Sequence, residues 1–136
     1  MILSKIKNFI LDFDGVLVES LDIKSKGFYK IYSKFGNDIA SKVVIHHNNN
    51  LGMPRKEKFK YYHRFFLNKL INDIELKSIE SEFSKYIVNK IIKCKEVEGS
   101  ISFLENFKNN LNFWIVSATP DSELNYIIKK RNLSKF

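Results

Sequence analysis

One stretch limits what this chain can become more than any other. Phe9 to Ser20 reads FILDFDGVLVES: an apolar run, a carboxylate at Asp12, a second at Asp14, and Gly15 directly after. Ile6 to Phe13 has the strand-favouring, apolar character of a β-strand and lacks clean alternation, as expected for a strand covered on both faces in an α/β sheet. Residues two apart on a strand share a face. Asp12 and Asp14 are therefore expected to face one site at the strand's C-terminal end, where open α/β sheets bind ligands. Two neighbouring carboxylates repel each other unless a cation lies between them or one holds a proton. Either arrangement suits phosphoryl chemistry. A hard cation such as Mg²⁺ takes one or two carboxylates together with waters and phosphate oxygens. One carboxylate can then attack phosphorus while the other moves a proton. Gly15 lets the backbone turn sharply beside the ligand.

From Leu21 to Lys95 the period changes to that of helices. Phe28, Ile31, Tyr32 and Phe35 share a stripe that Gly36-Asn37 stops. A second helix is expected over Asp38 to His47, followed by a loop through Asn48–Asn50 and Leu51–Pro54. A third runs from Arg55 to Ile71 with Phe59, Tyr62, Phe66 and Leu70 on its apolar side. A fourth covers Ile74 to Lys93 with Ile79, Phe83, Ile87 and Ile91. Four such helices can pack as a small antiparallel bundle. Glu96 to Gly99 reads as a hinge out of the bundle. A short helix follows with Ile101, Leu104 and Phe107 on one face, then a turn at Asn109-Asn110. Asn112 to Ser117 is a second buried strand. Thr119 is expected to cap the last helix, with Pro120 at its first position and Leu124, Ile127 and Ile128 buried.

Ser117 ends the second strand just before that helix. Its hydroxyl, with nearby backbone N–H groups such as that of Ala118, can hold phosphate oxygens near a helix N-terminus. His46 and His47 are adjacent and flank a loop, which favours a surface role over metal binding.

The remaining composition narrows the classes. The net charge of +8 comes almost wholly from lysine spread along the chain, with only three arginines. That argues for compositional bias rather than a specific nucleic-acid surface, whose charge clusters. No apolar run approaches the roughly 20 residues of a membrane span. The N-terminus, interrupted by Lys5, Lys7 and Asp12, is no signal peptide. The lone Cys94 cannot form an internal disulfide and fits a reducing, cytoplasmic setting.

Asp12 to Ser20 (DFDGVLVES) resembles the first motif of the haloacid dehalogenase superfamily. Ile115 to Pro120 (IVSATP) resembles its second, serine- or threonine-bearing motif. The helical insertion between them is similar to the cap of the branch holding phosphoglycolate phosphatases and β-phosphoglucomutases. Glu98 to Lys108 (EGSISFLENFK) resembles the segment that returns to the core. The resemblance implies an α/β, Rossmann-like core of about two strands, residues 1–15 and 97–136, with a helical bundle cap at 16–96. It makes Asp12 the nucleophile and a metal ligand, and Asp14 the general acid/base with its carbonyl on the metal. It assigns phosphate binding to Ser117 and Ala118. Arg55, in GMPRKEKF, resembles a cap residue that reaches the substrate. The second aspartate, which the dehalogenases lack, favours Mg²⁺-dependent phosphate chemistry on a small phosphorylated metabolite through an aspartyl phosphate.

The family's third-motif lysine and fourth-motif acidic ligands would lie beyond Phe136, and Lys129 and Lys130 come too early to serve. Two strands make a poor open sheet. The expectation is therefore an N-terminal portion of a longer protein, weakly active or inactive as it stands and completed by a missing C-terminal portion. The alternatives are a phosphoglucomutase-like phosphoryl transferase and a non-catalytic fragment.

Overall fold

A computed structural model describes residues 5–136; the first four residues of the 1–15 segment lie outside the described residues. Two short strands, β1 (Asn8–Leu11) and β2 (Asn112–Ile115), pair in parallel. Asn8 lies opposite Asn112, and Leu11 opposite Ile115. Four helices intervene before the chain returns: α1 (Leu21–Tyr32), α2 (Asn37–Asn49), α3 (Arg55–Phe66) and α4 (Asp73–Lys93). One 3-10 turn at Ser33–Phe35 joins α1 to α2. Two more helices, α5 (Ser100–Phe107) and α6 (Asp121–Lys130), flank β2 in the chain.

The bundle forms because each helix carries a stripe it must bury. Phe28, Ile31 and Tyr32 of α1 meet Ala40 and Val43 of α2, Phe59 and Tyr62 of α3, and Leu76, Ile79, Phe83, Ile87 and Ile91 of α4 in one core. Phe28 is its hub, with ring centroids 4.5 Å from Phe83, 5.5 Å from Phe59 and 5.8 Å from Tyr62. α4 starts at a capping box: Asn72 accepts from the Glu75 N–H at 2.9 Å, and the Asn72 N–H returns a bond to the Glu75 carboxylate at 3.1 Å. Its far end is closed by Arg131, whose guanidinium donates to the carbonyls of Ile91, Ile92 and Cys94. Those are the carbonyls a helix leaves without partners.

The bundle joins the sheet through two chain segments that run side by side. The Glu19 N–H donates to the Lys95 carbonyl at 2.9 Å, and the Val97 N–H to the Leu17 carbonyl at 3.1 Å. The expected hinge at Glu96–Gly99 is thus half of a paired linker. Gly99, at φ +82°, adopts the left-handed conformation that starts α5.

Three expectations change. First, β1 is shorter than Ile6–Phe13 and β2 shorter than Asn112–Ser117, and among the described residues one face of the sheet is covered and the other open. Phe9 and Phe113 pack on Phe103 of α5 at 5.1 and 5.9 Å. On the opposite face Ile10 and Trp114 are 67% and 59% exposed. Second, α3 ends at Phe66: Asn68 has φ +51°, and Leu70, expected on the apolar stripe, is exposed. Third, Pro120 rather than Thr119 is the N-cap of α6, because the Thr119 hydroxyl is engaged elsewhere.

Candidate active site

β1 ends at Leu11, so Asp12 and Asp14 are brought together by a turn and not by strand alternation. Phe13 anchors the turn. Its ring is 1% exposed, and its carbonyl accepts from the N–H groups of Leu17 and Val18 at 3.0 and 3.3 Å. The Gly15 N–H donates to the Val18 carbonyl at 2.8 Å. Gly15 has φ +73°, a left-handed conformation that favours glycine; a Cβ there would lie 2.7 Å from Leu21 Cδ1, the end of an exposed side chain that can move aside. The loop leaves Asp12 exposed, with the Phe13 N–H donating to its Oδ1 at 2.6 Å. Oδ2 of Asp12 takes no hydrogen bond from the described residues.

Asp14 is held quite differently. Ser20 donates to its Oδ1 at 2.5 Å, and Lys24 and Thr119 donate to its Oδ2 at 2.5 and 3.2 Å. Lys24 also donates to the Thr119 hydroxyl at 2.9 Å. These groups come from the β1 loop, the start of α1 and the end of the β2 loop. One carboxylate therefore gathers three parts of the chain.

On the β2 side, Ser117 Oγ accepts from the Thr119 N–H at 3.1 Å. This tight turn leaves the Ser117 hydroxyl proton available. Among the described residues the Ala118 N–H makes no hydrogen bond. Asp12, Asp14, Ser117 and Ala118 all line one cavity of about 320 Å³, closed on the bundle side by Lys24, His47, Leu51 and Gly52. The four core residues expected from the sequence thus share one space.

Arg55 lies apart. It is buried, and its guanidinium grips Glu123 of α6 at 2.6 and 3.0 Å and donates to Ser84 at 2.9 Å. Burial alone would push the Glu123 carboxyl up; the hydrogen bonds and charge of Arg55, aided by Ser84, outweigh it and hold the group below its usual range. Arg55 here joins bundle to core and lines a small recess next to the cavity, not the cavity itself.

Sequence reasoning missed Lys24, Thr119 and His47. Lys24 is one helical turn beyond Ser20, and that spacing was the available signal. His47 was expected at the surface but is 3% exposed, because α1 and α3 pack over it. His46 stacks on Tyr61 at 4.2 Å, so the two histidines do separate work.

Among the described residues no three carboxylate, histidine or cysteine side chains gather into a metal cluster. The donor set nonetheless fits Mg²⁺ in its usual manner of binding, through a carboxylate, waters and substrate phosphate. Among the described residues nothing donates to one Asp12 carboxylate oxygen or to the Asp14 carbonyl.

No protein-family profile matches the sequence, and no curated protein matches it. Solved structures do match by shape. A HAD hydrolase, family IA, variant 3, from Entamoeba histolytica superposes with TM-score 0.70 at 18% identity, over 96% of this chain and 57% of that one. The HAD-hydrolase YfnB from Bacillus subtilis, in a magnesium-bound crystal form, superposes with TM-score 0.65 at 10% identity, over 94% and 60%. The chain spans less than two thirds of either protein. In its paired parallel strands, its helical insertion and its returning segment, the chain has the fold of the haloacid dehalogenase-type (HAD) hydrolases over the part of that fold it covers.

Proposed function

We propose that this chain carries the nucleophile half of a Mg²⁺-dependent phosphatase acting on small phosphorylated metabolites, in the reducing cytoplasm that its one free cysteine suits. One observation carries the reading: two aspartates at the end of β1 share a cavity with Ser117 and Ala118 at the end of β2, yet are held in opposite ways. Asp12 is open on one oxygen, as a nucleophile must be. Asp14 is fixed by three donors, as a group that passes a proton at a set angle must be.

Asp12 Oδ2 attacks phosphorus, forming the Asp–O–P bond as the ester P–O bond breaks. Asp14 passes a proton to the leaving alcohol oxygen. Water then attacks the aspartyl phosphate, Asp14 takes the water proton back, and orthophosphate leaves with Asp12 restored. The Ser117 hydroxyl and the Ala118 N–H hold the phosphoryl oxygens through both steps. Bound Mg²⁺, held by Asp12 and the Asp14 carbonyl, would offset the charge of phosphate facing carboxylate. Arg55 as a direct substrate contact would require its bond to Glu123 to open.

Beryllium trifluoride imitates a phosphoryl group on a carboxylate and needs no turnover to be seen. With Mg²⁺, ¹⁹F NMR of the chain is expected to show bound fluorines, lost in Asp12→Asn and kept in Asp14→Asn. Bound signals that survive Asp12→Asn would sink the assignment of the nucleophile.

A further inference from the structure

The bundle side of the cavity holds a group of donors that the proposed chemistry does not use. Lys58 of α3 is 2% exposed, and its ammonium donates to His47 Nδ1 at 2.8 Å. It forms no ion pair among the described residues, although Arg55, one turn earlier and also buried, has Glu123. Its other near neighbour is the Phe28 ring, 5.8 Å away. A buried cation without a counter-charge is costly. Burial, then the charge of Lys24, lowers the Lys58 ammonium to about 8.

His47 completes the pattern. Accepting at Nδ1 from Lys58 puts its proton on Nε2. That nitrogen is fully buried and has no hydrogen-bond partner among the described residues. Burial first, then Lys58 and Lys24, lowers the imidazole to about 3, so the ring is neutral and Nε2–H is a donor in want of an acceptor.

His47, Lys24, Leu51 and Ala118 line both the catalytic cavity and a recess of about 30 Å³ beside it, whose floor holds Lys58. The recess has room for a water or for one end of a small oxyanion. The free hydrogens on residues lining the recess include two on Lys58, one on His47 and the Ala118 N–H. A neutral alcohol or sugar edge would bring donors of its own. An oxyanion brings acceptors only, and the missing charge.

We propose that Lys58 and His47, flanked by Lys24, form a second anion subsite on the bundle wall, so that the phosphomonoester bound at Asp12 carries a second oxyanion group, carboxylate or phosphate, at its other end. The inference rests on the phosphatase reading for the first end of the ligand. The subsite itself is tested separately.

The full chain, labelled with ¹⁵N-histidine and kept free of Mg²⁺ in low-chloride buffer, is titrated with malonate, a dicarboxylate that has no phosphoryl group. The His47 Nε2 resonance is expected to shift and saturate. Lys58→Met should weaken the response about tenfold or more, the scale of a lost charge-assisted hydrogen bond, and Asp12→Asn should leave it unchanged. His47→Gln, followed by calorimetry, supplies a second variant that keeps a neutral donor and should lose less than Lys58→Met. With Mg²⁺ present, phosphonoacetate should bind about tenfold tighter than ethylphosphonate, and Lys58→Met should erase that difference. A His47 signal unmoved by malonate and by phosphonoacetate overturns the subsite, as does malonate binding that Lys58→Met leaves intact. Failure of the phosphatase reading looks different: phosphonate affinity indifferent to Asp12→Asn, with the malonate response of His47 unaltered.

Discussion

Arg55 and Glu123 face each other across the junction of bundle and core, joined by two bonds of 2.6 and 3.0 Å with both side chains under 10% exposed. Ser84 of α4 donates to the same carboxylate at 2.5 Å, so the pair ties α3, α4 and α6 together. Removing one member of a buried pair strands the other's charge. Glu123→Ala is expected to cost roughly 3–5 kcal/mol in urea unfolding, and Arg55→Lys to recover little of the pair, since an ammonium cannot make the two-pronged contact. The double variant Arg55→Met with Glu123→Leu should stand closer to the wild type than Glu123→Ala alone. A single Glu123→Ala within experimental error of the wild type would show that the pair does not hold the two parts together.

A second test concerns how closely α1 and α4 approach. A Cβ on Gly27 would lie 2.9 Å from Ile87 Cγ2 and 3.0 Å from Phe83 Cε2. Both neighbours are buried and cannot swing into solvent. Alanine normally stabilises a helix interior by up to about 1 kcal/mol over glycine. Here overpacking, costing typically about 1–3 kcal/mol, should win, and Gly27→Ala should lower the thermal midpoint. A raised midpoint would mean that the helices can part without loss.

These relationships differ in how visible they are in the residues alone. The four bundle helices are legible because stripes such as Ile79, Phe83, Ile87 and Ile91 repeat with the helical period. The open face of the sheet is not, because apolar runs such as FIL and FWI look alike whether one face or both are covered. Asp12, Asp14 and Ser117 stand out because a carboxylate or hydroxyl at a strand end is rare without a purpose. Lys24 and Lys58 do not stand out in a chain with 23 lysines and arginines. What distinguishes them is burial and partner, and both depend on how α1, α2 and α3 pack. Thr119 fits a helix cap on local rules; only Asp14, 105 positions away, explains why it does something else.

The two aspartates should separate chemistry from stability. Asp12 is exposed, and asparagine keeps an oxygen for the Phe13 N–H, so Asp12→Asn should shift unfolding by no more than about 0.5 kcal/mol. Asp14→Ala leaves Lys24 and the fully buried Ser20 without their acceptor. It should cost about 1–3 kcal/mol. Equal effects of the two changes in chemical denaturation would mean that the three donors around Asp14 contribute nothing net to the fold.

Lys58 and His47 should both make stability rise with pH, each in its own window. Lys58 is lowered from 10.5 to about 8 in the fold. Between those values the unfolded chain binds the extra proton, so this group makes stability rise with pH through that window. Below pH 8 the buried charge is present in full, and Lys58→Met should stabilise the protein by on the order of 3 kcal/mol, a gain that shrinks towards pH 10.5. His47 is lowered from 6.5 to about 3. Its neutral ring supports the fold above pH 6.5, and that support is lost as pH falls from 6.5 towards 3. His47→Gln should therefore flatten the acid limb of the stability curve and leave the alkaline limb alone, whereas Lys58→Met should flatten the alkaline limb. Denaturant midpoints measured from pH 4 to pH 10 for the wild type and both variants decide the matter. An alkaline limb unchanged in Lys58→Met would show that burial does not penalise its ammonium, and with it the reason to expect an anion beside His47 would go.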